Sequence, residues 1–297
     1  MSALSVLRSS PPEVAIEIDA TSVAAARVSG RGAAGIANHV TEPLPPGVVV
    51  PSLAAANITD KAIVGRVLAQ VLTRLGGRAT RAALVLPDTV AKVSLIRFDT
   101  VPERSADLAE LVRWQIRKSA PFPIEQAVVS FTPGARTAEG GQEYVVTMAR
   151  ADIVEEYEAL CASAGAHAGL VDIATTSIIN DVMASPSPPA TDWLLVHTTG
   201  GYTTLTVLRG ADVIFFRNRE RDSEGTLADV VHQTAMYYED RLKGAGFSRV
   251  LLAGGGVQGV DAVRRSLEER LNVRIESVAQ PELAALRGIL MRERKAA

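Results

Sequence analysis

Four histidines are the first place to look for metal or acid–base chemistry, and their spacing offers neither. His39, His167, His197 and His232 are widely separated, and no pair falls at a metal-ligand interval. Cys161 is the single cysteine. It has no basic neighbour in sequence, and among alanines it reads as a small buried hydrophobe. No Gly-x-Ser-x-Gly nucleophile elbow is present. Glycine is left as the residue type with a chemical use. Gly254-Gly255-Gly256 closes the apolar run Val250–Ala253, and Gly200-Gly201 follows the run Trp193–Val196. A glycine triplet by itself is the ordinary means of turning tightly from strand to helix. The run Arg217–Asp222 carries both signs of charge and reads as a solvated loop. The residues point to no catalytic group and no metal ligand.

The elements around these residues follow from periodicity. Val14–Ile18 reads as a strand, Val23–Val28 as its antiparallel return, and Gly35–Val40 as a third strand, before Pro43, Pro45, Pro46 and Gly47 break the pattern. A helix is expected from Thr59 to Leu75, ended by Gly76-Gly77, and a short buried strand at Ala82–Leu86. Leu108, Leu111, Val112, Gln115 and Ile116 mark one stripe of a further helix. Glu103, Asp107 and Glu110 near its start and Arg113, Arg117 and Lys118 near its end suit the helix dipole. Pro121 is expected to stop it. Phe122, between Pro121 and Pro123, then sits on a semi-rigid arm, and periodicity reads it as tucking into the core.

Beyond that arm, Ala127–Phe131 and Tyr144–Ala149 form a hairpin turning at Ala138–Gln142. A helix Ile153–Ala164 ends at Gly165, and a strand Leu170–Ile173 and a helix to Met183 follow. Ser185–Pro189 is the clearest linker. Then Trp193–Val196, Thr204–Leu208 and Val213–Phe216 repeat the three-strand opening. A helix Leu227–Leu242, the strand Val250–Ala253, another helix, a strand Val273–Ile275 and a helix from Glu282 complete the chain. Two copies of one strand–strand–strand–helix–strand order imply a duplicated α/β architecture of two lobes.

The order Leu84-Val85-Leu86-Pro87, Val93–Phe98, Val101-Pro102-Glu103 and then Arg117–Glu125, with Pro121-Phe122-Pro123-Ile124-Glu125 as its most specific part, carries a resemblance. It is similar to the PilM-type proteins, actin-like cytoplasmic components of type IV pilus assembly. The likeness runs from about residue 13 to 293. It implies an actin-like fold of duplicated ribonuclease-H-like domains. The implied division is a tail at 1–12, a first lobe of 13–78 plus 165–184, an inserted α+β subdomain at 79–164, a linker at 185–190 and a second lobe at 191–297. The cytoplasmic domain of the type II secretion L protein has a similar fold.

That resemblance also places a nucleotide cleft, and the cleft is damaged. Aligning Ser22 and Val23 to the family's Asp-Ile-Gly-Ser-Ser-Ser-Val-Lys turn sets Glu17 at the aspartate, Asp19 at the glycine and Ala24 at the lysine. An aspartate facing an anion about 4 Å away costs roughly 4 kcal/mol at an effective dielectric near 20. In Val196-His197-Thr198-Thr199-Gly200-Gly201, His197 stands where an aspartate would hold hydrated magnesium, which prefers oxygen. Only Leu252–Gly256 keeps the family's adenosine-loop pattern. Thr21, Ser22, Gly200, Gly201, Gly254, Gly255 and Gly256 are thus a degenerate nucleotide set. The expectation is no hydrolysis and no required cofactor, with ATP binding left open.

Composition agrees with a packed protein that binds no nucleic acid. The chain has 297 residues, 47% of them hydrophobic, a formal charge of −2 and a pI near 6.1. One cysteine excludes an internal disulfide and fits a reducing compartment. No apolar run nears the roughly 20 residues that span a bilayer, and the first dozen residues lack a signal-peptide pattern. The resemblance therefore implies a cytoplasmic platform component held at the inner membrane by a partner. It would bind the N-terminal peptide of a PilN-type inner-membrane protein, with Trp114, Arg117, Phe122 and Pro123 as candidate contacts. It would also meet the assembly ATPases, and could self-associate. The alternative is a nucleotide-hydrolysing actin-like ATPase or filament former.

Overall fold

A computed structural model describes residues 12–28, 35–76, 81–136, 140–220, 226–254, 260–271 and 273–295. Of the expected tail at 1–12, residues 1–11 lie outside the described residues, as do Gly255, Gly256, Ala138, Glu139, Arg221 and Asp222, while Pro12 is described and buried.

Two five-stranded sheets share one topology. The first runs β3 (Ile36–Pro43), β2 (Ser22–Val28), β1 (Val14–Ile18), β4 (Arg81–Leu86), β8 (His167–Ile173). The second runs β11 (Asp212–Glu220), β10 (Tyr202–Arg209), β9 (Asp192–Thr198), β12 (Arg249–Ala253), β13 (Ile275–Ser277). In each, an antiparallel meander is joined by two parallel strands. The parallel strands need helical crossovers. These are α1 (Lys61–Leu75) and α3 (Ala151–Ser163) in the first half, and α5 (Leu227–Leu242) and α6 (Val260–Leu271) in the second.

The layers follow from which faces are apolar. One face of the first sheet packs on α1 and α3, where Leu68, Val71, Tyr157 and Cys161 are buried. The facing sides of the two sheets enclose α4 (Ala174–Met183) and α7 (Ala284–Lys295). Ala15, Ala24, Ala26 and Ala83 line this middle layer, and such small side chains admit α7 close to the sheet. The outer face of the second sheet packs on α5 and α6. Asp60 caps α1 by accepting from the Ile63 amide at 2.9 Å, as an N-cap aspartate should.

A separate three-stranded sheet, β5 (Ala91–Phe98), β7 (Gln142–Arg150), β6 (Ala127–Arg136), lies in the chain between β4 and β8. Its alternation is period two. Tyr144, Val146 and Met148 face α2 (Ser105–Ile116) and are buried with Val112 and Ile116. Val145, Thr147 and Ala149 face the other way.

Several sequence expectations move. α2 ends at Ile116, and a 3₁₀ turn over Arg117–Ser119 follows, so the α-helix yields well before Pro121. Gln115 is exposed rather than part of the buried stripe. Arg217–Glu220, expected as loop, belong to β11, an edge strand whose outer rim carries charge readily. The last strand is Ile275–Ser277 rather than Val273–Ile275, because Ile275 is the residue paired to Val250.

Candidate functional site

Two tight turns face each other where the two sheets meet. Asp19 N donates to Ser22 O at 3.0 Å, and Thr199 N donates to Tyr202 O at 2.9 Å. These matched hairpins hold Thr21 and Ser22 on one side and Gly200 and Gly201 on the other. They nearly touch: a Cβ placed on Gly200 would stand 3.8 Å from the Thr21 methyl. Gly254 has a positive φ of 134°, and a Cβ there would collide with Thr198 O. Its glycine is required by that close backbone approach.

Between the turns the side chains are polar and crowded. Glu17 is raised to about 7 by burial and by Asp19, against the opposing pull of His197. Asp19 is also raised, first by burial. His197 is buried, with its ring edge-on to Tyr202 at 5.5 Å.

The residue that organises this region was not legible in the sequence. Asp88, directly after β4 and Pro87, is buried. It accepts from the Thr175 amide at 2.9 Å, from the Thr175 hydroxyl, from the Thr204 hydroxyl at 2.6 Å, and from His197 Nδ1 at 3.4 Å. Asn218 Nδ2 donates to Thr204 Oγ1 at 2.8 Å. Burial pushes the Asp88 carboxyl up, but the His197 and Thr175 donors outweigh it and hold it below the usual range. The His–Asp–Thr grouping is no nucleophilic triad. Thr175 and Asp88 both meet Nδ1, whereas a triad needs the two ring nitrogens on different partners.

A second concavity lies between β6 and β7, β8 and α4, and the β10–β11 turn. Its volume is about 380 Å³. Val128, Thr132, Val145 and Thr147 form the sheet wall, and Val171, Ile173, Thr176 and Ile179 the opposite wall, with Ala211–Val213 at one end. Val128 is 48% exposed. The three-stranded sheet is thus covered by α2 on one face, while on the other β11 meets β5 and β6 beside the groove. β6 and β8, which border the groove, are edge strands of their sheets.

The residues singled out from the sequence for partner binding lie on the α2 side. Phe122 packs part-buried against the α2 cluster, consistent with the core reading. Arg117 pairs with Glu125 at 2.8 Å, and Arg113 reaches the Ile124 and Ala127 carbonyls. The proline arm is thereby folded back onto its own helix. Pro123 is exposed, and Trp114 is 65% exposed. None of Trp114, Arg117, Phe122 or Pro123 lines the groove. Tyr238 stacks on Phe247 at 4.5 Å on the outer face of the second sheet and donates to Asp192. Among the described residues no cluster of three His, Cys, Asp or Glu is placed to hold a metal. No described helix is long and apolar enough to cross a membrane.

Comparison with known proteins places the chain. Residues 15–241 match the family described as type IV pilus assembly protein PilM. No curated protein matches. The fold is similar to that of a PilM–PilN type IV pilus biogenesis complex, with TM-score 0.80 and 18% identity over 95% of this chain and 98% of that one. It also resembles a protein of actin-like ATPase fold from Bacteroides thetaiotaomicron, with TM-score 0.53 and 9% identity over 94% and 95% of the two chains. The cytoplasmic domain of EpsL, an inner-membrane component of the Vibrio cholerae type II secretion system, gives TM-score 0.54 and 10% identity over 96% and 94%. These likenesses establish the actin-like fold.

Proposed function

Because the chain belongs to the PilM family of type IV pilus assembly proteins, we propose that it is a cytoplasmic scaffold that seats a PilN-type partner's N-terminal peptide in the groove beside the three-stranded sheet. The observation that carries this reading is the groove left on the face of that sheet away from α2. An apolar groove on the sheet face opposite a helix, flanked by two edge strands, suits an extended peptide. Main-chain groups of the edges would supply hydrogen bonds and alternate side chains would supply specificity. The similar solved structure is that of a PilM–PilN type IV pilus biogenesis complex, which suggests the partner class.

The same reading divides the chain as its topology suggests, with 79–164 inserted into a first lobe of 13–78 and 165–184, and 191–297 as the second lobe. The partner would hold the protein at the inner membrane. Assembly ATPases and further copies of the chain would dock elsewhere, and exposed Trp114 on α2 with Arg117 just after it is the surface proposed for one of them.

The cleft is proposed to be without turnover. Asp19 and Glu17 crowd carboxylates where phosphates would lie, and phosphoryl transfer depends on metal and positioning. His197 Nδ1 donates toward Asp88, and an imidazole has no oxygen to hold magnesium.

The test is calorimetric titration with a synthetic peptide of the PilN-type N-terminus. Thr147→Arg should abolish binding while leaving thermal melting close to the wild type. Trp114→Ala should leave the affinity unchanged. Loss of binding in Trp114→Ala with retention in Thr147→Arg would move the seat to the α2 face.

A further inference from the structure

Asp88 joins the two halves of the molecule through its own carboxylate. Thr175 lies in the first turn of α4 and Asp88 two residues past the end of β4, both on the first-sheet side. His197, Thr204 and Asn218 come from β9, β10 and β11 of the second sheet. Thr175 has one hydroxyl proton and gives it to Asp88. Its oxygen can then only accept at the 2.8 Å contact with His197 Nδ1, so Nδ1 carries a proton. An N–H in that position cannot ligate a cation. The Asp88 oxygens are likewise taken up by protein donors. With the Thr21 and Gly200 turns in near contact, the region is closed by the chain's own groups.

Two of the elements tied there also build the groove. α4 carries Thr175 in the network and, further along, Thr176, Ile179 and Asn180 on the groove wall. β11 carries Asn218 in the network and Asp212 and Val213 at the groove's end. We propose that the Asp88–His197–Thr204 network is a ligand-free clasp between the lobes that sets the groove at its peptide-accepting width. In a cleft that binds nucleotide, a metal–phosphate group bridges two lobes and can order them; here an imidazole, a carboxylate and two hydroxyls do so. Asp88, His197, Thr175 and Thr204 are positioning residues, none touching the groove. The inference that they govern peptide affinity rests on the groove being the partner's seat.

The experiment uses the full chain with spin labels at Gln70→Cys on α1 and Glu239→Cys on α5, both exposed, while native Cys161 is buried. Distances between labels are measured by pulsed dipolar spectroscopy with and without magnesium–ATP, alongside peptide titration. The clasp predicts one narrow distance in the wild type, unchanged by millimolar magnesium–ATP. Thr204→Val and Asp88→Asn should broaden or lengthen it and weaken the peptide at least fivefold. Thr204→Val removes one hydroxyl only and keeps the test valid if Asp88→Asn fails to fold. A wild-type distance that shifts with magnesium–ATP, or variants that keep the wild-type distance, overturns the clasp. A changed distance with unchanged affinity overturns its coupling to the groove. If the wild type binds no peptide, the groove reading fails and the distances still decide the clasp.

Discussion

Glu17 shows how single residues in the cleft depart from ordinary behaviour. Its carboxyl is raised from 4.5 to about 7 by burial and by Asp19, with Asp88 adding to the rise and His197 opposing it. A carboxyl raised on folding keeps its proton in the folded chain after the unfolded chain has lost it. Stability therefore falls as pH climbs from the unfolded value near 4.5 to about 7, and the loss is complete above that. One pKa unit is about 1.4 kcal/mol, so this group costs about 3 kcal/mol at most at pH 8. Glu17→Gln should raise the melting temperature at pH 8 and give little gain at pH 4.5. An equal gain at both values would place the cause elsewhere. The sequence marked Glu17, Asp19 and His197 as departures from a pattern, which is local information. It gave no sign of Asp88, which stands 109 residues from His197. Thr175, Thr204 and Asn218 were equally silent, since a threonine in a strand or at a helix start is common for reasons of propensity alone.

At the scale of elements, α4 and α7 cross between the sheets with almost no space to spare. A Cβ on Gly288 would collide with Ser177 O and stand 2.9 Å from the Asp181 amide. Asp181 and Arg287 clasp the same crossing through two hydrogen bonds, at 2.5 and 2.6 Å. Because the obstacle is backbone, Gly288→Ala should destabilise by about 1–3 kcal/mol or more. Gly201→Ala should change stability by no more than about 0.5 kcal/mol, because open space surrounds that position. Chemical denaturation of both variants checks the contrast, and a neutral Gly288→Ala would show that the crossing is looser than described. Helix α5 and the meanders were readable from apolar periodicity, and α5 falls at Leu227–Leu242 as expected. Charge misled at β11. An edge strand pairs on one side only, so its rim tolerates Arg217 and Glu220 and looks like loop in the sequence. The groove on the face of the three-stranded sheet away from α2 was hidden for a related reason. Val145 and Thr147 alternate with Tyr144, Val146 and Met148, and period two cannot say that a helix covers only one side.

For the whole molecule, the duplicated order of strands and helices was legible and yields the actin-like fold, while the shape of the groove was not, because its walls come from stretches far apart in the chain. No ATP turnover is expected. Phosphate release with magnesium–ATP should stay at buffer background, and Asp19→Gly with His197→Asp should strengthen nucleotide binding if the two turns are aligned correctly. Turnover in the wild type would favour an actin-like ATPase instead. Site-specific photo-crosslinking shows whether a PilN-type peptide lies in the groove on the sheet face away from α2. A photoreactive phenylalanine analogue is placed at Val128 in the groove, or at Trp114 on the outer side of α2, and irradiated with the peptide. The groove seat predicts an adduct at Val128 and none at Trp114. An adduct at Trp114 with none at Val128 would contradict it.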